Sequence, residues 1–322
     1  MTILITGVTG QDGSYLAEFL LDMGHQVIGV VRNIQKAKET LSLYLKNSLE
    51  LVEWDMRDQN RIKNILTEFR PTEVYNFAAY SSGAGMFDDP VRIGDVNGLA
   101  VVRIMEAICE VNVKIRFCQA SSREVFGEPT ESPQTEFTTT NPRSPYGAAK
   151  LYADSMIQIY CQRYNLFACS AILFNHESPR RGFEFVTRKI TYEAVRIKLG
   201  LAAELHLGNL DAYRDWGFAG DYVKAMWLML QQEHPDRYII ASGQAHSVRD
   251  WCDLTFRYLG MDYRDYVKED KLAYRPVELL PLVGSAEKAH CKLGWRLKIE
   301  FKELVQMMVD ADFHLLTDNI KH

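Results

Sequence analysis

Through the first half of the chain, short apolar runs alternate with segments whose apolar residues recur at helical spacing. Residues 2–6 read as a buried strand and 11–23 as an amphipathic helix. Strand-like runs follow at 26–31, 49–54, 73–77, 114–120 and 167–173, separated by helical patterns at about 58–69, 95–111 and 144–163. Such alternation builds a parallel sheet covered on both faces, so the expected fold is α/β with a doubly wound sheet. After about residue 175 the pattern changes: helices are expected at 186–199, 218–231, 247–259 and 301–315, and strand-like runs at 203–207 and 237–241. Loops rich in Arg, Pro and Gly lie at 178–182, 208–217 and 274–284. The expected division is a dinucleotide-binding part at 1–176, with 218–245 crossing back to it. A smaller mixed α/β lobe for substrate would comprise 177–217 and 246–322.

The turn after the first strand sharpens this to a Rossmann-type sheet. Gly7, Thr9, Gly10, Gln11, Asp12 and Gly13 lie between a strand and a helix, where glycines permit a tight turn and close approach of backbone to a pyrophosphate. The helix N-terminus adds free N–H groups and a favourable dipole. The spacing G-x2-G-x2-G resembles that of the short-chain dehydrogenases/reductases. At the end of the second strand an acidic residue would suit the ribose 2′-hydroxyl of NAD; the chain has Arg32, with Lys36 and Lys38 beyond. That suits the 2′-phosphate of NADP, against a bland reading as a solvated basic loop. Asp55 and Met56 are candidates for the adenine edge, and Ala78 and Ala79 for the floor of the pyrophosphate site.

Composition narrows the partners. A 322-residue chain, 47% hydrophobic with a net charge of −5, offers no basic surface for a nucleic-acid backbone. No apolar run reaches membrane-span length, and Met1 leads straight into a strand, so a cytoplasmic protein is expected. The six cysteines lack C-x2-C spacing and none of the eight histidines forms a ligand cluster, so structural thiols and no metal are expected.

The reacting groups come later in the chain. Tyr146 and Lys150 stand one helical turn apart, 24 residues after Ser122 (146 − 122). A lysine charge favours phenolate, making such a tyrosine a base for an alcohol proton while the carbon gives a hydride to a nicotinamide. With 16 tyrosines, roughly one accidental Tyr-x3-Lys match is expected, so the pair gains weight only beside the glycine turn and the serine strand end. Glu124, two residues beyond Ser122, is a carboxylate able to take a carbon acid's proton. Alone it would read as a solvated turn residue.

Five runs, at 5–16, 143–152, 173–182, 185–189 and 207–217, resemble the GDP-mannose 4,6-dehydratase family within the extended short-chain dehydrogenases/reductases, and the likeness covers nearly the full length. It implies a GDP-sugar substrate and NADP. Tyr146 and Lys150 would act on the C4 hydroxyl, and Glu124 on the C5 proton before water leaves C6. It further implies that Asn175, Lys189, Arg214, Arg275 and Glu278 hold the GDP moiety, and that His176 and Arg181 line the cofactor side. His176 reads equally well as a satisfied structural histidine. A homodimer through the helices at 95–111 and 144–163 follows from the same resemblance. The chain departs from the family pattern at Arg123, where a small serine is usual, at Tyr80, where glutamine is usual, and at Asn33, where a second arginine is common and a longer insertion supports tetramers. The sugar is therefore open to GDP-hexose or heptose variants, and a tetramer is not expected. Two rivals remain: a GDP-sugar 4-reductase, 4-dehydrogenase or epimerase with no use for Glu124, and a catalytically silent dinucleotide-binding regulator.

Overall fold

The computed structural model describes residues 1–45, 49–81, 87–270 and 282–320, with side chains as far as Asp318. Seven parallel strands form the central sheet: β1 (Thr2–Thr6), β2 (Gln26–Val31), β3 (Glu50–Glu53), β4 (Glu73–Asn76), β5 (Arg116–Ala120), β6 (Ala168–Leu173) and β10 (Arg237–Ile240). Their order is β3-β2-β1-β4-β5-β6-β10, so the winding reverses between β1 and β4, where open α/β sheets open a ligand crevice at the strands' carboxyl ends.

The alternation of side chains along β1 feeds two cores. Ile3 and Ile5 face α1 (Gln11–Asp22) and α8 (Ala219–Leu230) with Leu16, Leu20, Val223 and Met226. Leu4 faces the other way, toward α3 (Gln59–Phe69), α5 (Ala100–Val111) and α6 (Pro145–Tyr164), with Ile62, Ile104 and Ile157. A third core joins α7 (Val186–Lys198), α9 (Val248–Tyr258) and α12 (Phe301–Ile320) around Trp216, Trp251 and Met308. There the buried Arg188 and Asp312 pair at 2.6 Å.

Several elements were not legible as periodicity. Asn33, which precedes α2 (Ile34–Leu41), caps it by accepting from Lys36 N at 2.9 Å. The short α4 (Pro90–Gly94) runs into a π-turn at Asp95–Leu99, so the expected helix from 95 becomes regular only at Ala100. The segment expected as a loop at 208–217 ends in a strand, β9 (Tyr213–Phe218). It lies between β7 (Asn175–Glu177), parallel, and β11 (Ala245–Ser247), antiparallel. No apolar alternation marks β9, because one of its anchors is polar: the buried Asp215 accepts from Ser242 N at 2.8 Å, Ser242 Oγ at 2.6 Å, Gly243 N at 3.0 Å and Gly284 N at 3.2 Å. β8 (Leu205–Leu207) pairs with β12 (Val267–Glu269), which follows the single turn of α10 (Tyr263–Tyr266). α11 (Glu287–Leu293), within the C-terminal stretch, packs Ala289 and Leu293 into the sheet-side core beside Trp295. No helix among the described residues is long and apolar enough to cross a membrane.

Candidate active site

The crevice begins at the glycine turn. Gly7 has φ +67°, and a Cβ there would lie 2.7 Å from Ala78 N; a Cβ on Gly13 would lie 2.3 Å from Gly7 O. Only glycine permits strand, turn and helix to close this tightly. Gly10 precedes α1 with no side-chain cap, which leaves the helix's first N–H groups to a ligand such as a pyrophosphate. Thr9 lies on the same turn.

The side chains of Gln11, Asp12 and His176 have protein partners instead. Gln11 Nε2 donates to His176 O at 3.0 Å, and Ser178 Oγ donates to Gln11 Oε1 at 2.7 Å. His176 Nδ1 lies 2.7 Å from Phe174 O and its Nε2 lies 3.0 Å from Asp12 Oδ2. Both neighbours are acceptors when Asp12 is ionised, an arrangement that favours the doubly protonated imidazole. Opposite charges in contact raise His176 against its burial and hold Asp12 below the usual carboxylate range. Arg181 pairs with Glu177 at 3.1 Å and covers the Phe185 ring. Arg180 bonds Glu18 at 2.6 Å and lies over Tyr15. The 178–182 loop is thereby strapped onto α1.

At the far end of the turn, Arg32, Lys36 and Lys38 are exposed around the start of α2. Glu53 Oε1 accepts from Ile34 N at 3.1 Å, placing a carboxylate at the same helix end. The carboxylate of Asp55 is engaged by Arg57 through Nε at 2.9 Å and Nη2 at 2.5 Å, which holds it down at about 2. Met56 is buried beside it.

The reacting groups meet at the ends of β5 and α6. Ser144 caps α6 by accepting from Gly147 N at 3.1 Å, and Pro145 starts the helix without needing a donor. Tyr146 and Lys150 are consequently buried, 8% and 2% exposed, on the face turned to the crevice. The Ser122 hydroxyl favours the phenol's anion, and the negative charge of Glu124 opposes it. Ser122 Oγ also accepts from Glu124 N at 3.2 Å. The helix sits so close that a Cβ on Gly147 would lie 2.5 Å from Glu124 O.

Lys150 Nζ donates to Ala120 O at 2.7 Å and lies 5.7 Å from the Tyr146 ring centroid, so its charge reaches the phenol through space. Burial pushes Tyr146 up to about 12 despite the help of Ser122, and pushes Lys150 down to about 8. Spacing puts the two on one face, but only the packing shows where the ammonium points.

Sequence reasoning also missed the scaffold beneath. Ala78 N donates to Thr6 Oγ at 3.2 Å, and Thr6 Oγ donates to Asn76 Oδ1. Asn76 Nδ2 continues to Gln119 Oε1 at 2.7 Å, and Gln119 Nε2 to Ala120 O at 2.7 Å, the oxygen that also takes the lysine. Asp154 receives Ser121 Oγ at 2.6 Å and Ser170 Oγ at 2.5 Å, and burial raises it to about 6. Polar residues inside a near-continuous apolar strand pattern were the available signal.

On the side away from the glycine turn, Arg123 is buried against Glu124 and Asn175. Tyr80 packs beside Tyr146, Ile93 and Ala149. Its backbone is held by Asn97, through Tyr80 N at 2.8 Å and Tyr80 O at 2.9 Å. Lys189 is exposed on α7 and donates to His206 O at 2.7 Å; Arg214, on β9, donates to Tyr213 O at 2.6 Å. Asp211, on the loop before β9, pairs with Arg249 at 2.9 Å. Arg275 and Glu278 lie outside the described residues.

The comparisons agree with one another. The model of the GDP-mannose 4,6 dehydratase family matches residues 4–308. GDP-mannose 4,6 dehydratase 1 of Arabidopsis thaliana is 46% identical over 327 residues, covering 97% of this chain and 90% of that protein. The human GDP-mannose 4,6 dehydratase is 42% identical over 343 residues (98% and 92%), and that of Vibrio cholerae 40% over 345 residues (96% and 93%). Among solved structures, UDP-glucose 4-epimerase of Thermotoga maritima superposes with a TM-score of 0.86 at 25% identity, covering 98% of this chain and 99% of that one. With the family matched from residue 4 to 308 and relatives above 40% identity spanning almost all of the chain, the protein belongs to the GDP-mannose 4,6-dehydratase family.

Proposed function

We propose that this protein is an NADP-dependent hydro-lyase that converts GDP-mannose, or a close GDP-hexose or heptose, into the GDP-4-keto-6-deoxy sugar. The observation that carries the reading is the carboxylate of Glu124 on the same strand end as Ser122, near enough to Tyr146 to act on its charge. A simple C4 oxidoreductase has no use for that carboxylate.

The glycine turn and the uncapped start of α1 fit a dinucleotide pyrophosphate, and UDP-glucose 4-epimerase of Thermus thermophilus, 25% identical, is known with NAD. When bound, the nicotinamide supplies a reversible store for the hydride taken from C4 and returned to C6. Tyr146 receives the C4 hydroxyl proton, with Ser122 orienting the oxygen. Burial pushes the phenol up to about 12, so the charge of the Lys150 ammonium, and of a bound oxidised nicotinamide, would favour its anion. The 4-ketone acidifies C5–H; Glu124 takes that proton, the electron pair forms the C5–C6 double bond, and Glu124 passes the proton to the C6 hydroxyl, which leaves as water; as hydride returns to C6, C5 would take the proton that Tyr146 received from the C4 hydroxyl. Asn175, Lys189 and Arg214 would hold the GDP half, Arg giving bidentate contacts to phosphate.

Arg32 supports NADP. Glu53, at the same helix end, favours NAD as a second reading. Arg32→Ala should weaken NADP at least about tenfold and leave NAD nearly unchanged, measured by titration of both; equal loss for both would remove NADP selectivity. A homodimer through α5 and α6 in the cytoplasm fits the exposed Leu99, Tyr152 and Ile159 on that face.

The test is incubation of the protein with GDP-mannose, and separately GDP-manno-heptose, with NADP and no external reductant. A 4-keto-6-deoxy product supports dehydration. Glu124→Gln should lower that product by about 10²-fold or more while leaving C4 oxidation. Unchanged turnover in that variant would move the reading to reduction or epimerisation.

A further inference from the structure

Arg123 lies in the single 3₁₀ turn Arg123–Val125 that follows β5, and is only 8% exposed. A buried guanidinium persists only if paired and hydrogen-bonded. Its Nη2 stands 2.9 Å from Glu124 Oε1, and its Nε donates to Asn175 Oδ1 at 3.0 Å. One rigid fork therefore holds the neighbouring carboxylate and an amide from β7, an element 52 positions further along the chain (175 − 123).

The two contacts constrain different things. Adjacent side chains on a turn diverge unless something joins them; the guanidinium joins these and fixes which oxygen of Glu124 stays free. Taking the carbonyl oxygen of Asn175 fixes the amide's sense, so its NH₂ is the group left for a ligand. Ser122, which caps the turn, and Gly147, packed on Glu124 O, hold the backbone beneath.

We propose that Arg123 is a positioning residue for the elimination half of the reaction: it aims the Glu124 carboxylate and presents the Asn175 amide to the nucleotide-sugar. The proposal rests on the dehydratase reading above. It predicts an uncoupling. C4 oxidation runs through the phenol of Tyr146 and the hydroxyl of Ser122, whereas proton removal from C5 depends on where Glu124 points. A misplacement near 1 Å costs about 10²-fold.

The experiment is single-turnover mixing of protein, NADP and GDP-mannose, following reduced cofactor by near-ultraviolet absorbance and 6-deoxy product by mass spectrometry. Arg123→Met and Arg123→Lys are compared with the parent. In Arg123→Met, reduced cofactor should appear within about threefold of the parental rate and then accumulate, while product formation falls about 10²-fold. Arg123→Lys, which can reach Glu124 but cannot fork, should restore most of the product rate and leave KM raised. Equal loss of both signals in the lysine variant, with parental circular dichroism and NADP affinity, overturns the proposal, as does unimpaired product formation in the methionine variant. Absence of 6-deoxy product from the parent itself overturns the dehydratase reading and this proposal together; loss confined to the variants leaves the former standing.

Discussion

Tyr146 and Lys150 show how much a spacing can and cannot say. Their four-residue separation placed both on one face of α6, and the structure keeps them there. Their charge states follow from burial, which no spacing encodes: the phenol stands near 12 and the ammonium near 8. Lys150 folded lies below its unfolded value of 10.5, so the buried charge costs stability below about 8 and that cost is relieved as pH rises through it. Function runs the opposite way, since an uncharged amine cannot help an anionic phenol. kcat/KM should decline above about pH 8, and Lys150→Arg, which stays charged, should remove that decline even if the overall rate drops. A basic limb unmoved by the arginine variant would place the titrating group elsewhere.

Among the elements, α6 does most to assemble the site. Its cap, its opening proline and Gly147 set it against Glu124, while Asp154 ties it to β5 through Ser121 and to β6 through Ser170. The helix itself was legible in the sequence, as were the principal strands, because buried parallel strands read as apolar runs. β7 and β9 were not, since β7 spans only three residues and β9 is anchored by polar groups such as Asp215. On its outer side α6 carries Tyr152 and Ile159, 42% and 51% exposed, seven residues apart (159 − 152) and so on one face. Ile159→Glu should shift the sedimenting species from dimer to monomer at micromolar concentration. A parental protein already monomeric there would dispose of the dimer.

For the molecule as a whole, the His176–Asp12 pair joins the glycine turn to β7 and so ties the cofactor side to the substrate side. His176 is raised, so its contribution is complete below 6.5 and is lost as pH rises through its folded value. Asp12 is lowered, so its contribution is complete above 3.8 and is lost as pH falls through its folded value. His176→Asn should therefore cost most stability between about pH 4 and 6.5 and progressively less in alkali, measured by urea denaturation across that range. A cost independent of pH would make the contact one of packing alone, through the ring's approach to Tyr222. The sequence flagged His176 but left its role undecided, because the acceptors on its two nitrogens come from distant segments.

The line of amides beneath the crevice has a direction. Every donor from Ala78 N through Thr6, Asn76 and Gln119 points toward Ala120 O, and Lys150 points at that oxygen from the opposite side. A carbonyl that receives from both sides is a terminus, not a conduit. A proton shed at Lys150 is therefore not handed along this line into the sheet, and the reacting groups keep their acid–base traffic at the crevice face of β5 and α6.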